Sequence, residues 1–440
     1  MKVLLGEVHL SSSQSAPDLN TSKDTDIPEP KLDSDFTKDG KPATYAKGYP
    51  LQWGEEVWKF TTHGDVVAGG VESGSATSDE KFLALATERS ICIFNLDDFS
   101  LACALKSDFG IVQTVEFAPF PQGGDEGYVL VTDAHDNLPE RNEQIQLWYL
   151  DGDCKDKATG PEADGKKGER EKFDGALATF SPTAFSHDGK TLLYLSDVHD
   201  EYGVHARVTA VKIATGREAF YMEGHKDPIM WIGFSPDDSL IVSTAWDGYA
   251  KVYSGTDGKQ IRDLGPTGGQ NWACDFSPDG ENLAVSRGNR GPSTFVWRLK
   301  DPQSFPIALE GTKGMQRHIA WSPDGIRLAI GAMNGRLIVY DARSMTVEQV
   351  WQLGDQSTWV HDVCEAVWLD NGQRLLFSPM DGSVLMYDFK TNEKWKWVAG
   401  EKDEWRPGSW LNTLDVMEKR RLFGSKDQDG SYRIWKLPEL

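Results

Sequence analysis

A chain of 440 residues, 39% apolar and 26% charged, has ample material for a large core, and no stretch of it approaches the roughly 18 apolar residues of a membrane helix. The formal charge of −22 repels phosphate backbones and anionic lipid, so direct nucleic-acid and membrane binding are not expected. Five scattered cysteines (Cys92, Cys103, Cys154, Cys274, Cys364) form no C-x-x-C pair, which fits reduced thiols in cytoplasm or nucleus rather than a secreted disulfide scaffold.

In chain order, the short apolar run Met1–Leu5 is ended by Glu7 and does not read as a secretory signal. Residues 1–54 are rich in Ser, Asp, Thr, Lys and Pro, and predict a largely disordered polar tail or one draped over the rest. Glu55–Phe60 reads as a strand standing alone ahead of the first repeat. From there a phrase recurs, most legible at residues 224–254. Three apolar runs, the first of them Ile229–Phe234, are separated by a Pro236-Asp237 turn and an Asp247-Gly248 turn. Asp-Gly between such runs is a hairpin signal, because both residues tolerate positive φ. The turn element recurs around Thr77, Ala118, Ser186, Ser235, Ser277, Ser322, Leu369 and Val416, in steps of 41 to 49 residues with one of 68. A period in the forties is that of a four-stranded propeller blade.

These residues resemble the WD-repeat family from about residue 55 onward. In that family a buried hydrogen-bonded group of His, Ser or Thr, Asp and Trp sits in each blade. The resemblance implies that His225, Ser243, Asp247 and Tyr253 play those parts, with Tyr in place of Trp. Ser425, Asp429 and Trp435 match with the same internal spacing in the last unit, where the His is missing. The fold predicted is all-β: a single closed β-propeller of about eight four-stranded blades over residues 55–440, with seven the alternative count. The physical reason is independent of the family. An inner strand such as Ile229–Phe234 is apolar on both faces, so blades must stack on one another, and closure removes exposed sheet edges. The chain finishes on a third strand, Tyr432–Leu437, so the lone strand at 55–60 is expected to complete the last blade.

The long step contains a mixed-charge stretch at 151–173, read as a tolerated loop insertion. Within it, Gly160–Lys167 nearly spells a phosphate-binding loop, but Lys167 stands where a hydroxyl is needed and no helix follows. His199, Asp200 and His205 gather potential metal ligands in one hairpin, too few for a zinc site. His225, Ser243 and Asp247 carry the residue types of a catalytic triad, but the resemblance implies a buried structural role. No metal, cofactor or catalytic residue is therefore expected. On the rim formed by the loops joining second to third strands, Trp246, Tyr249, Arg290, Met333 and Met380 have the composition of binding hot spots, with Trp231 nearby. The resulting expectation is a non-catalytic scaffold or adaptor that binds a protein or peptide on this rim, or a subunit of a larger complex. The alternative is an enzyme or small-ligand binder using the central funnel, with Asp200 or His205 at its mouth.

Overall fold

Turn chemistry sets the strand boundaries. The Ser235 hydroxyl donates to Asp237 (2.7 Å) and accepts from the Leu240 N–H (2.9 Å), closing the reversal on itself. The same knot recurs at Thr77, Ser186, Ser277 and Ser322. The computed structural model describes residues 35–61, 70–119, 127–136, 142–157, 171–200, 203–288, 293–301, 303, 305–309, 311, 315–332, 335–352, 362–400, 414–427 and 429–440, with backbone alone at 199, 200, 203, 204 and 364.

Between these reversals lie eight antiparallel sheets in chain order, the blades of a propeller. They span 71–106, 111–174, 191–222 (with two isolated bridges from 176–185), 229–264, 270–308, 316–352, 363–398 and 414–436. The eight turn anchors read from the sequence fall one to a blade, which settles the count at eight. Blade 4 is the pattern, with strands Ile229–Phe234, Leu240–Ala245, Ala250–Ser254 and Gln260–Leu264 side by side. Blade 3 departs from it. Residues 176–185 hold the inner place through only two bridges, Ala176 to Leu195 and Phe185 to Leu192. Between them the chain leaves the sheet, and the Ser181 hydroxyl donates to Ile232 O and accepts from Ile232 N in blade 4.

Every pair of neighbouring blades shares one apolar cluster. Trp231, Val242 and Val252 of blade 4 pack on Phe276, Leu283 and Val285 of blade 5. The ring closes the same way, with Met417, Leu422 and Ile434 of blade 8 on Val71, Leu83 and Leu85 of blade 1. Polar clamps run alongside these layers, from an inner-strand side chain to the backbone of the next blade. Ser73 accepts from Val115 N (2.8 Å), Glu116 from Ala184 N (3.0 Å), Asp275 from Trp321 N (2.8 Å) and Glu365 from Leu414 N (2.9 Å). At the last junction Glu80 accepts from Lys419 N and Arg420 N, while Gly74 leaves the space that Asp415 and the Tyr432 ring occupy.

Blade 8 contributes three strands of its own: Leu414–Met417, Leu422–Lys426 and Tyr432–Lys436. The fourth is Trp58–Phe60, paired antiparallel with Tyr432–Ile434. The early strand thus completes the last blade, over three residues rather than six. Residues 35–54 correct the expectation of disorder and take the draped alternative. Thr44–Tyr45 and Leu51–Gln52 pair parallel with the outer strand of blade 7, Glu393–Val398, and Phe36 is buried at 1% exposure. A few anchors, Phe36, Tyr49, Leu51 and Trp53, do this inside a segment whose average composition is polar. Residues 1–34 lie outside the described residues, as do 158–170, most of the predicted insertion, with its near-phosphate-loop sequence.

Candidate interaction rim

One end of the propeller carries the turns between second and third strands and the crossings into each next blade. In blade 4 the turn is Trp246-Asp247-Gly248-Tyr249, with Gly248 at φ +83°, where a side chain would be strained. Beneath it sits a closed polar group. His225 Nδ1 lies 2.9 Å from Asp247 Oδ2, and Nε2 lies 2.8 Å from Ser243 Oγ. Asp247 also accepts from the N–H groups of Lys226 and Tyr249, at 3.0 Å each. The Tyr253 hydroxyl donates to Glu223 O at 3.1 Å. Burial pushes the Asp247 carboxyl up, but the bonds from His225 and the two amides outweigh it and hold its pKa below the ordinary value. Ser243 is fully buried. A serine closed to solvent is not presented to any substrate, so this arrangement fixes the turn to the blade and is not a nucleophilic triad.

The last blade solves the same problem without histidine. Trp435 Nε1 donates to Ser425 Oγ (3.3 Å), and Ser425 in turn donates to Asp427 (3.0 Å), not to Asp429. Asp429 caps the turn at Ser431 and pairs with Arg433 Nη2 (2.7 Å). Asp429 is therefore corrected out of the serine's circle. The buried Arg433 guanidinium supplies the positive partner and draws both acids to itself. Burial raises Asp427 to about 7 despite Arg433, whereas the Arg433 and Ser431 bonds overcome burial at Asp429 and hold its carboxyl well below the usual range.

Of the residues singled out for the rim, Trp246 and Tyr249 are half-buried at its surface. Met380 is only 1% exposed; it belongs to the packed interior of the turn and offers no surface to a partner. Arg290 and Met333 lie outside the described residues. Trp231, 2% exposed, packs between blades 4 and 5. The sequence reading missed Trp272 and Phe180. Trp272 stands at the bulged start of the inner strand of blade 5, tilted against Trp246 with centroids 5.1 Å apart. Phe180, in the looped-out inner segment of blade 3, meets Trp272 edge to face at 5.7 Å. Lys251 lies 5.8 Å above the Tyr249 ring, its ammonium held by Asp263 at 2.9 Å. Three half-buried aromatic rings from three consecutive blades thus form one patch, with Tyr249 beside it. The inner strand pairs out of register between Asn271 and Cys274, which brackets Trp272, and no motif in the sequence marks that slip.

Comparison with known proteins agrees with this geometry. The family description "WD domain, G-beta repeat" matches residues 216–254, the outer strand of blade 3 through the third strand of blade 4. This chain is a β-propeller with a WD repeat at its fourth blade. Eukaryotic translation initiation factor 3 subunit I of Coccidioides immitis is 25% identical over 238 residues, half of this chain and 66% of that protein. WD repeat-containing protein VIP3 of Arabidopsis thaliana is 28% identical over 139 residues, 29% of this chain and 43% of that one. These matches span less than two thirds of either relative and point to no one subfamily. Among solved structures, Saccharomyces cerevisiae Sqt1 superposes with a TM-score of 0.64 at 13% identity, covering 87% of this chain and 99% of Sqt1. The computationally designed Ika8 protein follows at 0.58 and 15%, covering 85% and 98%. At such identities the likeness is one of fold. Among the described residues no helix is long and apolar enough to cross a membrane, and no group of three His, Cys, Asp or Glu could hold a metal.

Proposed function

We propose that this propeller is a non-catalytic protein-interaction scaffold that binds a protein or peptide partner on the rim of blades 3 to 5. The observation that carries the reading is the half-buried aromatic patch of Phe180, Trp246 and Trp272, with Tyr249 at its side. Aromatic rings held on a rigid frame supply large contact area at little entropic cost, and such residues dominate interface energetics. The frame here is rigid because Asp247 ties the turn to two amides and an imidazole. The name of the initiation-factor relative, a subunit, supports placing this chain in a larger assembly. The net charge of −22 favours a partner with basic character. Free thiols at Cys92, Cys103, Cys154 and Cys274 accord with residence in the cytoplasm or nucleus.

The test is affinity purification of the full chain beside a Trp246→Ala, Tyr249→Ala double variant of unchanged melting temperature. Loss of one or more specific partners from the variant is the expected result. An identical partner set from both would overturn the rim reading.

A further inference from the structure

A propeller's outer strands end their sheets. Among the described residues, blade 7 alone carries chain beyond its fourth strand. That chain is 35–53, and its mode of attachment is that of a bound peptide. Thr44 N donates to Asn392 O (3.2 Å), Ala46 N to Lys394 O (3.0 Å) and Trp53 N to Val398 O (3.1 Å), a parallel strand addition in two short pieces. Two of its side chains, Phe36 and the small Ala43, are buried in the core of blades 6 and 7. Phe36 stacks on Tyr387 at 4.3 Å and 8° and meets Phe377 edge-on at 6.0 Å. Charges flank it on both sides. Asp35 pairs with Lys394, and Lys38 Nζ donates to the carbonyls of Phe389 and Lys390 at 3.0 and 2.6 Å. The stretch between, Lys41, Pro42, Thr44 and Tyr45, is exposed. Main-chain pairing for affinity, one aromatic pocket for specificity and an ionic flank are the components of peptide recognition at a sheet edge.

We propose that the outer edge of blade 7 is a binding site for extended peptides bearing an acidic residue followed by phenylalanine, and that residues 35–53 are its tethered occupant. A partner segment of the same chemistry enters by displacing this strap. Tethering gives the strap an effective concentration in the millimolar range, so the site is closed until a tighter segment competes. This site is on the side wall, and its existence does not depend on the rim.

The test uses the full chain with a protease recognition sequence inserted after Gly54, cut once folded, and a fluorescein-labelled peptide of residues 35–53. The uncut chain should leave the peptide free. The cut chain should keep its near-UV circular dichroism and bind the peptide saturably. Unlabelled peptide should compete, and its Phe36→Ala form should compete at least tenfold less well. A cut ring that unfolds, that ignores the peptide, or that does not distinguish the Phe36→Ala form overturns the proposal. Independently, hydrogen exchange on the uncut Phe36→Ala chain should speed up at least tenfold at Thr44 and Ala46 while the inner strands stay protected. Unchanged rates at those two amides would count equally against it.

Discussion

Asp247 holds three donors at once, the His225 ring and the amides of Lys226 and Tyr249. Replacing it with alanine strands all three, and we expect a loss on the order of 2–3 kcal/mol, read by urea unfolding. A normal unfolding midpoint would remove the group from any structural role. Its pKa is lowered in the fold, so its contribution is present above the unfolded value near 4 and fades as pH falls through the folded one. The clamps between blades have the opposite sign. Burial, only partly offset by their hydrogen bonds, raises Glu116 and Asp275 to about 7, and burial with neighbouring Asp415 raises Glu365 to about 8. A carboxyl whose folded pKa exceeds its unfolded value stabilises most when protonated, and that contribution is lost as pH rises toward 8. Melting temperature should therefore decline from about pH 5 to 8.5, and Glu365→Gln, whose amide oxygen still accepts from Leu414 N, should flatten the decline. A slope unchanged by that substitution would mean Glu365 does not titrate in this range. Met380 shows why residue-level reading of the rim was partial. Its position beside Asp381-Gly382 marks the turn, yet nothing in the sequence reports that the side chain folds inward. Asp429 is similar: the spacing located the turn, but the competition from Arg433 is visible only across the blade.

At the scale of elements, the strand Trp58–Phe60 closes the ring through a small aromatic stack. The Trp58 ring lies 5.2 Å from Phe99 and 4.9 Å from Phe94, on blade 1, while its backbone belongs to blade 8. Trp58→Ala should cost about 3 kcal/mol, in the range for removing a packed aromatic, measured again by urea. A loss below about 0.5 kcal/mol would show that the early strand is ornamental. Most of this architecture was legible beforehand, because the Ser/Thr-x-Asp reversal has its own local chemistry and closes the first turn in five of the eight blades, with the period carrying the other three. Two elements were not. The inner segment of blade 3 keeps its anchor at Ser186 but leaves the sheet to bond Ile232, a long-range decision. The strap over blade 7 looked like a tail because its few anchors, Phe36, Tyr49, Leu51 and Trp53, are scattered among Lys, Asp and Gly.

The whole molecule carries a charge of −22, and its compact ring concentrates that repulsion. The Debye length falls from about 30 Å at 0.01 M salt to about 8 Å at 0.15 M, so exposed like charges on neighbouring blades cease to feel one another. Melting temperature should rise by a few degrees across that range; a fall would show that favourable surface pairs dominate instead. The joint between the two ends of the ring also has a consequence in time. Trp58 must await Ile434, and at about 5–20 residues per second a ribosome needs tens of seconds to deliver it. Throughout that interval the greasy flank of blade 1, Val71, Leu83 and Leu85, has no mate. Nascent chains of this protein should therefore be clients of cotranslational chaperones until the final blade emerges.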